Sequence, residues 1–122
     1  MPSDTPHTLS KEERLCGKTA ISHLCEKGKW GVLQPVKFCF LDGNGTELNR
    51  IMVSVPKRNF KRAVKRNLLK RRMRECYRLQ KELLSKKGID ILFTYNSTEI
   101  IPTNTLHDLI GTILKDIDRR TA

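Results

Sequence analysis

Residues 57–78 carry eleven Lys and Arg against one acid, Glu75, a formal charge of +10 in 22 residues. The whole chain carries +11 over 122 residues, so the remainder is close to neutral. Like charges this dense repel along the segment, and cations at the start of a helix oppose its dipole. No Gly or Pro interrupts residues 57–87 and strong helix formers dominate, which predicts a helix from Lys57 to about Leu84. At 100° per residue Asn67, Lys70, Arg71, Arg74, Arg78 and Lys81 share one face, while Leu69, Met73, Cys76, Gln80, Leu83 and Leu84 cluster on the other. An ordinary solvated face interleaves Lys with Glu at i±4. Here Glu75 and Glu82 are the acids of the whole run, so an external anion is the better reading.

An overall pI near 9.9 narrows that anion to nucleic acid or an anionic membrane surface. A membrane-surface helix sets large apolar and aromatic residues opposite its cations; the residues opposite this row are modest and can be consumed by a core. No apolar run approaches the ~20 residues that span a bilayer. Arg dominates the row, as suits phosphate contacts where a planar fork binds two oxygens. Asn67 among the cations suggests a hydrogen bond to a base or sugar, or a cap for neighbouring backbone.

The flanking sequence predicts a small α+β domain. Residues 1–8 hold two prolines and small polar residues and read as a flexible tail, and residues 9–120 as one domain. Ser10 and Glu13 fit a capping box. Ala20, Ile21, Leu24 and Cys25 are spaced for a short helix near 18–27, ended by Gly28. From Val36 the period becomes two, with Val36, Phe38 and Phe40 on one face of a strand and Lys37, Cys39 and Leu41 on the other. Asp42-Gly43-Asn44-Gly45 is a turn signal, and a strand near 49–55 is expected to close an antiparallel hairpin with the first. Val32-Leu33 could add a short strand before them. Lys86-Lys87-Gly88 reads as the C-terminal signal of the basic helix, residues 89–95 as a further strand, and 104–119 as a last helix striped by Leu106, Leu109, Ile110, Ile113, Leu114 and Ile117. The result is a two-layer α/β sandwich of about four mixed strands and three helices, in the order α-β-β-β-α-β-α.

Chemistry borne by the protein itself is not expected. The 13 carboxylates are scattered, His23 and His107 read as packing or surface residues, Ser54 lacks nucleophile-elbow glycines, and no Gly-rich phosphate loop occurs. Cys16, Cys25, Cys39 and Cys76 have neither Cys-x-x-Cys nor zinc spacing, and read as free thiols of a reducing, cytoplasmic setting. The opening residues lack the charged and apolar regions of a signal peptide. A DNA reader would be a helix-turn-helix or a paired basic region, and the β-α-β order fits neither.

At the basic helix the sequence resembles the bacterial ribonuclease P protein family. The signature run stands here as Ala63-Val64-Lys65-Arg66-Asn67-Leu68-Leu69-Lys70-Arg71-Arg72-Met73-Arg74, supported by Ser54-Val55-Pro56-Lys57-Arg58, Glu75-Cys76-Tyr77-Arg78, Asp90-Ile91, Glu13-Arg14-Leu15 and Glu26-Lys27-Gly28-Lys29. The resemblance spans about residues 8–119. It implies the protein subunit of a cytoplasmic ribonucleoprotein endonuclease that removes the 5′ leader of precursor tRNA, leaving a 5′-phosphate. The RNA subunit is then the catalyst and holds Mg²⁺, and the signature helix sits in a left-handed β-α-β crossover. It also implies that Arg66, Asn67, Lys70, Arg71 and Arg74 contact the RNA subunit, with Arg58, Arg62 and Arg78 extending the patch. The leader would lie in a cleft between the first helix and the sheet. Ile21 and Cys25 stand where the family often has Phe, so Phe38 or Phe40, whichever faces the cleft, and Tyr95 would supply stacking, beside Ser54. Leu68 stands where Arg is usual; one phosphate contact is lost there, or Lys65 replaces it. Protein oligomerisation is not expected to be essential. Two rivals remain: a non-catalytic RNA-binding module of a ribosome-associated type, and a nuclease with its own active site.

Overall fold

The computed structural model describes residues 13–15 and 17–121. The expected tail and the Ser10 end of the capping box lie outside these. In chain order the elements are α1 (Lys18–Lys27), β1 (Lys29–Leu33), β2 (Val36–Asp42), β3 (Arg50–Ser54), α2 (Ala63–Gln80) with a 3-10 turn at Lys81–Leu83, β4 (Ile89–Tyr95) and α3 (Thr103–Thr121). The mixed sheet and three helices are those read from the sequence. Gly28 closes α1, its N–H donating to the Leu24 carbonyl at 2.7 Å.

The pairing differs from expectation. The sheet order is β1-β2-β4-β3, so β2 and β3 are not a hairpin: β4 lies between them, antiparallel to β2 and parallel to β3. The physical reason is burial. β4 is buried along nearly all of its length, and a strand covered on both faces takes a central place. The Asp42–Gly45 turn is stitched to the start of β4 instead. Asn44 N donates to the Gly88 carbonyl at 3.0 Å, Asn44 Nδ2 to Asp90 Oδ1 at 2.8 Å, and Ile89 N to Asn49 Oδ1 at 3.0 Å. Asp90 also takes a bidentate bond from Arg50 of β3, both arms 2.8 Å. The true hairpin is β1–β2, joined through Gln34 and Pro35.

The alternation of β2 and β4 sorts the core into two. Val36, Phe38 and Phe40 of β2, with Ile89, Ile91, Phe93 and Tyr95 of β4, pack against α2 and α3. Cys39 and Leu92, one residue out of phase, face the other way and pack with Leu24 of α1 and with Leu15. Thus α2 and α3 form the helical layer of the sandwich, and α1 covers part of the opposite sheet face.

The basic helix begins six residues later than its composition suggests. Asn59 N donates to the Pro56 carbonyl at 3.1 Å, and Phe60 turns inward to 6% exposure with its ring 6.1 Å from Tyr95. Burying Phe60 costs the chain its helical path through residues 57–62. At the far end Gln80 Nε2 bonds the carbonyls of Cys76 and His107, tying the last turn of α2 to α3. Gly88 is therefore no helix cap: it adopts φ +84° in the turn into β4, where an added Cβ would sit 3.0 Å from the Thr46 carbonyl oxygen.

Candidate nucleic-acid interface

Leu69, Met73, Cys76 and Tyr77 are the buried face of α2. Their positions force Asn67, Lys70, Arg71, Arg74 and Arg78 to the other side. These five, with Glu75 and Arg14, line a groove of about 720 Å³. Arg14 comes from the segment before α1, anchored by a bridge to β3 in which Leu15 N donates to the Ile51 carbonyl at 2.7 Å. Site reasoning from the sequence missed Arg14, although Glu13-Arg14-Leu15 stood among the family-like residues; its separation from α2 by more than 50 residues hides the contact.

The groove is electropositive, with five cations and one acid in its lining. Burial, and then the charge of Arg14, pull the Arg74 guanidinium below its ordinary pKa. Two cations are held together there at an electrostatic cost that a bound anion would relieve. One acid intrudes: Glu75 pairs with Arg78 at 2.5 Å, which holds the carboxyl below its usual range. The N-terminus of α2 adds to the field, since its first turn contains no acid and Arg62 at its N-cap makes no side-chain cap. Exposed helix N–H groups beside Arg58, Lys61, Arg62 and Lys65 favour an anion.

Of the eight expected contacts with the RNA subunit, Asn67, Lys70, Arg71, Arg74 and Arg78 share the groove. Arg58 and Arg62 are exposed on the 57–62 turn, beyond its lining. Arg66 is committed inward: its Nη1 donates to the carbonyls of Phe60, at 2.7 Å, and Lys61, at 2.9 Å. It ties the turn to the helix while its remaining N–H groups stay available to a partner.

The expected cleft does not assemble as foreseen. Ile21 and Ser54 lie on the α1 side of the sheet, but Phe38, Phe40 and Tyr95 are buried on the opposite side, at 4%, 2% and 0% exposure. The cause is strand alternation: Cys39 and Leu92 occupy the α1 side, so their neighbours point into the main core. Tyr95 is further occupied as a latch, its hydroxyl donating to the Glu99 carbonyl and accepting from Ile101 N–H. These three aromatics therefore cannot stack on a base without unpacking the core.

Strand register shows what stands on the α1 side instead. Lys37, Thr94 and Ser54 lie opposite one another across β2, β4 and β3, with Trp30 opposite Cys39 on β1. Trp30 is 43% exposed, and Lys37 Nζ lies 4.8 Å from its ring centroid. A lone tryptophan straight after the α1 cap was the available sequence signal, but a five-residue edge strand gives too little pattern to show which way it points.

Among the described residues no three His, Cys, Asp or Glu side chains converge as metal ligands, and no helix is long and apolar enough to cross a membrane.

Comparison with known proteins gives a consistent picture. The Ribonuclease P family profile matches residues 9–117. The ribonuclease P protein component of Porphyromonas gingivalis is 40% identical over 87 residues, covering 70% of this chain and 64% of that protein. The chain thus spans a little under two thirds of that relative's length. The Borrelia hermsii counterpart is 32% identical over 100 residues, covering 82% of this chain and 83% of that one. The solved RNase P protein of Thermotoga maritima superposes with a TM-score of 0.75 at 26% identity, covering 85% of this chain and 96% of its own. The Staphylococcus aureus protein, at 20% identity and a TM-score of 0.76, shares the fold over 86% of this chain and 94% of its own.

Proposed function

The chain belongs to the ribonuclease P family, and from that premise we propose that it is the protein subunit of a cytoplasmic ribonucleoprotein that cuts the 5′ leader from precursor tRNA. The single observation that carries this reading is the α2 groove, where Lys70, Arg71, Arg74 and Arg78 converge with Arg14 around Asn67. Such a surface binds phosphates through charge and forked hydrogen bonds. The RNA subunit is the partner held there, and Arg58 and Arg62 extend the contact from the turn. DNA and membranes are not its partners.

The reaction is hydrolysis of a phosphodiester bond, and the RNA subunit with its Mg²⁺ supplies it. In this reading the ion sits on the RNA, and no step is assigned to metal on this chain. Its own side chains position RNA. Trp30 and Lys37 replace the inward-facing Phe38, Phe40 and Tyr95 as the stacking platform for a leader base. The hydroxyls of Thr94 and Ser54 lie along the same path for sugar or phosphate contacts, with Ile21 of α1 as its opposite wall.

The test is cleavage of precursor tRNA at low Mg²⁺ by the RNA subunit alone, the protein alone, and both. Activity is expected only from the pair. Cleavage by the protein alone would replace this reading with a protein nuclease, and failure to stimulate the RNA would leave a plain RNA-binding module.

A further inference from the structure

Beyond the groove, α2 ends against a second pocket, of about 330 Å³, lined by Glu13, Leu48, Asn49, Tyr77, Lys81 and their neighbours. Two buried polar side chains in its wall have a polar atom with no hydrogen-bond partner among the described residues. Tyr77 is 1% exposed, its ring packed 6.5 Å from Phe93, and among the described residues nothing hydrogen-bonds its hydroxyl. Asn49 is 7% exposed; its Oδ1 accepts from Ile89 N, while its Nδ2 has no partner among the described residues. Buried polar groups are nearly always satisfied, and two exceptions facing one pocket point to a ligand from outside. The volume is about ten times the ~30 Å³ share of one water and reaches the lower range of small-ligand sites.

We propose that this pocket receives one unpaired nucleobase from the RNA lying along α2, an inference that rests on the ribonuclease P reading. The chemistry selects a base over a phosphate. The carboxylates of Glu13 and Glu82 line the pocket beside Lys81 and Lys87, and Glu13 meets Lys81 at 2.9 Å. That mixture is formally balanced, so it offers a lone anion no net attraction, and it matches a heteroaromatic edge carrying both donors and acceptors. Leu48, 40% exposed, offers an apolar wall for the face of the ring. Location completes the case. Arg74, Arg78 and Lys81 follow one another at i, i+4 and i+7 on one helix face, and the consecutive residues Glu13 and Arg14 line the pocket and the groove respectively. A strand whose phosphates lie in the groove can turn its next base into the pocket.

The experiment uses the protein bound to the ribonuclease P RNA subunit, with base-modifying reagents mapping the RNA. Tyr77→Phe removes the hydroxyl and keeps the buried ring. Loss of one uncharged hydrogen bond is expected to weaken binding about two- to tenfold. It should also expose a single RNA base that the unaltered protein protects, with backbone protections along α2 unchanged. Leu48→Trp, which narrows the pocket without touching the core, should expose the same base. Should both variants match the unaltered protein in affinity and base reactivity, the pocket holds only water and the proposal is overturned. Failure of the unaltered protein to bind the RNA subunit at all would overturn the ribonuclease P reading itself, and is read separately from the variants.

Discussion

Arg66 and Arg71 lie on one helix with the same charge, yet they act differently. Arg71 lines the groove, whereas Arg66 spends one arm on the carbonyls of Phe60 and Lys61. Arg66→Ala should therefore lower folding stability by about 1 kcal/mol, a charge-assisted bond discounted for half-exposure, and Arg71→Ala should leave it within about 0.5 kcal/mol. Urea titration of the two variants separates them; equal stabilities would remove the strut. Trp30 belongs to the same scale. Stacking of a base on an aromatic ring contributes about 1–3 kcal/mol, so Trp30→Ala should weaken precursor tRNA binding by at least about fivefold and leave mature tRNA unaffected, as competition binding would register. Neither the Arg66 strut nor the outward face of Trp30 was legible in the chain. A cation's partner six residues back depends on a turn that forms only because Phe60 is buried, and the outlook of Trp30 depends on which face α1 covers.

At the scale of the element, α2 should behave as a polyelectrolyte contact. Each groove cation that meets a phosphate adds about 0.7–0.9 to the slope of log affinity against log salt. Lys70→Gln and Arg71→Gln together should thus flatten the slope for the RNA subunit by about 1.5, and an unchanged slope would mean a merely solvated face. The turn into β4 makes an independent prediction. Gly88 at φ +84° faces the Thr46 carbonyl, so Gly88→Ala should cost about 1–2 kcal/mol, measurable as a lower thermal midpoint. The two faces of α2 were readable from its 3.6-residue period, and α1 from Gly28. The start of α2 was not: propensity runs unbroken through residues 57–62, and only the tertiary position of Phe60 overrides it.

At the scale of the whole molecule, stability should decline on both sides of neutrality. Asp42, Asp116 and Glu75 ionise below their ordinary range, each chiefly through a hydrogen bond from a cation: Lys86, Arg119 and Arg78 respectively. Their folded pKa values lie below the unfolded ones, so their contribution is present at neutral pH and fades as pH falls below about 4. The buried thiols act at the other end. Burial, with a smaller push from Cys25 on Cys39 and from Glu75 on Cys76, raises both from 9.0 to about 11. The unfolded chain ionises first, so stability is retained below pH 9 and lost between 9 and about 11. Thermal midpoints from pH 3 to 11 should trace this plateau, and replacing Cys39 and Cys76 with Ala should flatten its alkaline edge.

The sequence by itself determined the approximate strands and helices and the charged face of α2, and it favoured an anion as the partner of that face, because periodicity and charge are local properties of the chain. Only the tertiary structure decided the pairing and the sidedness. Strand order β1-β2-β4-β3 follows from burying β4 on both faces, a competition among all strands that no single one encodes. The same competition turned Phe38, Phe40 and Tyr95 inward and left Trp30 and Lys37 outside, since alternation says which residues share a face but not which face meets solvent.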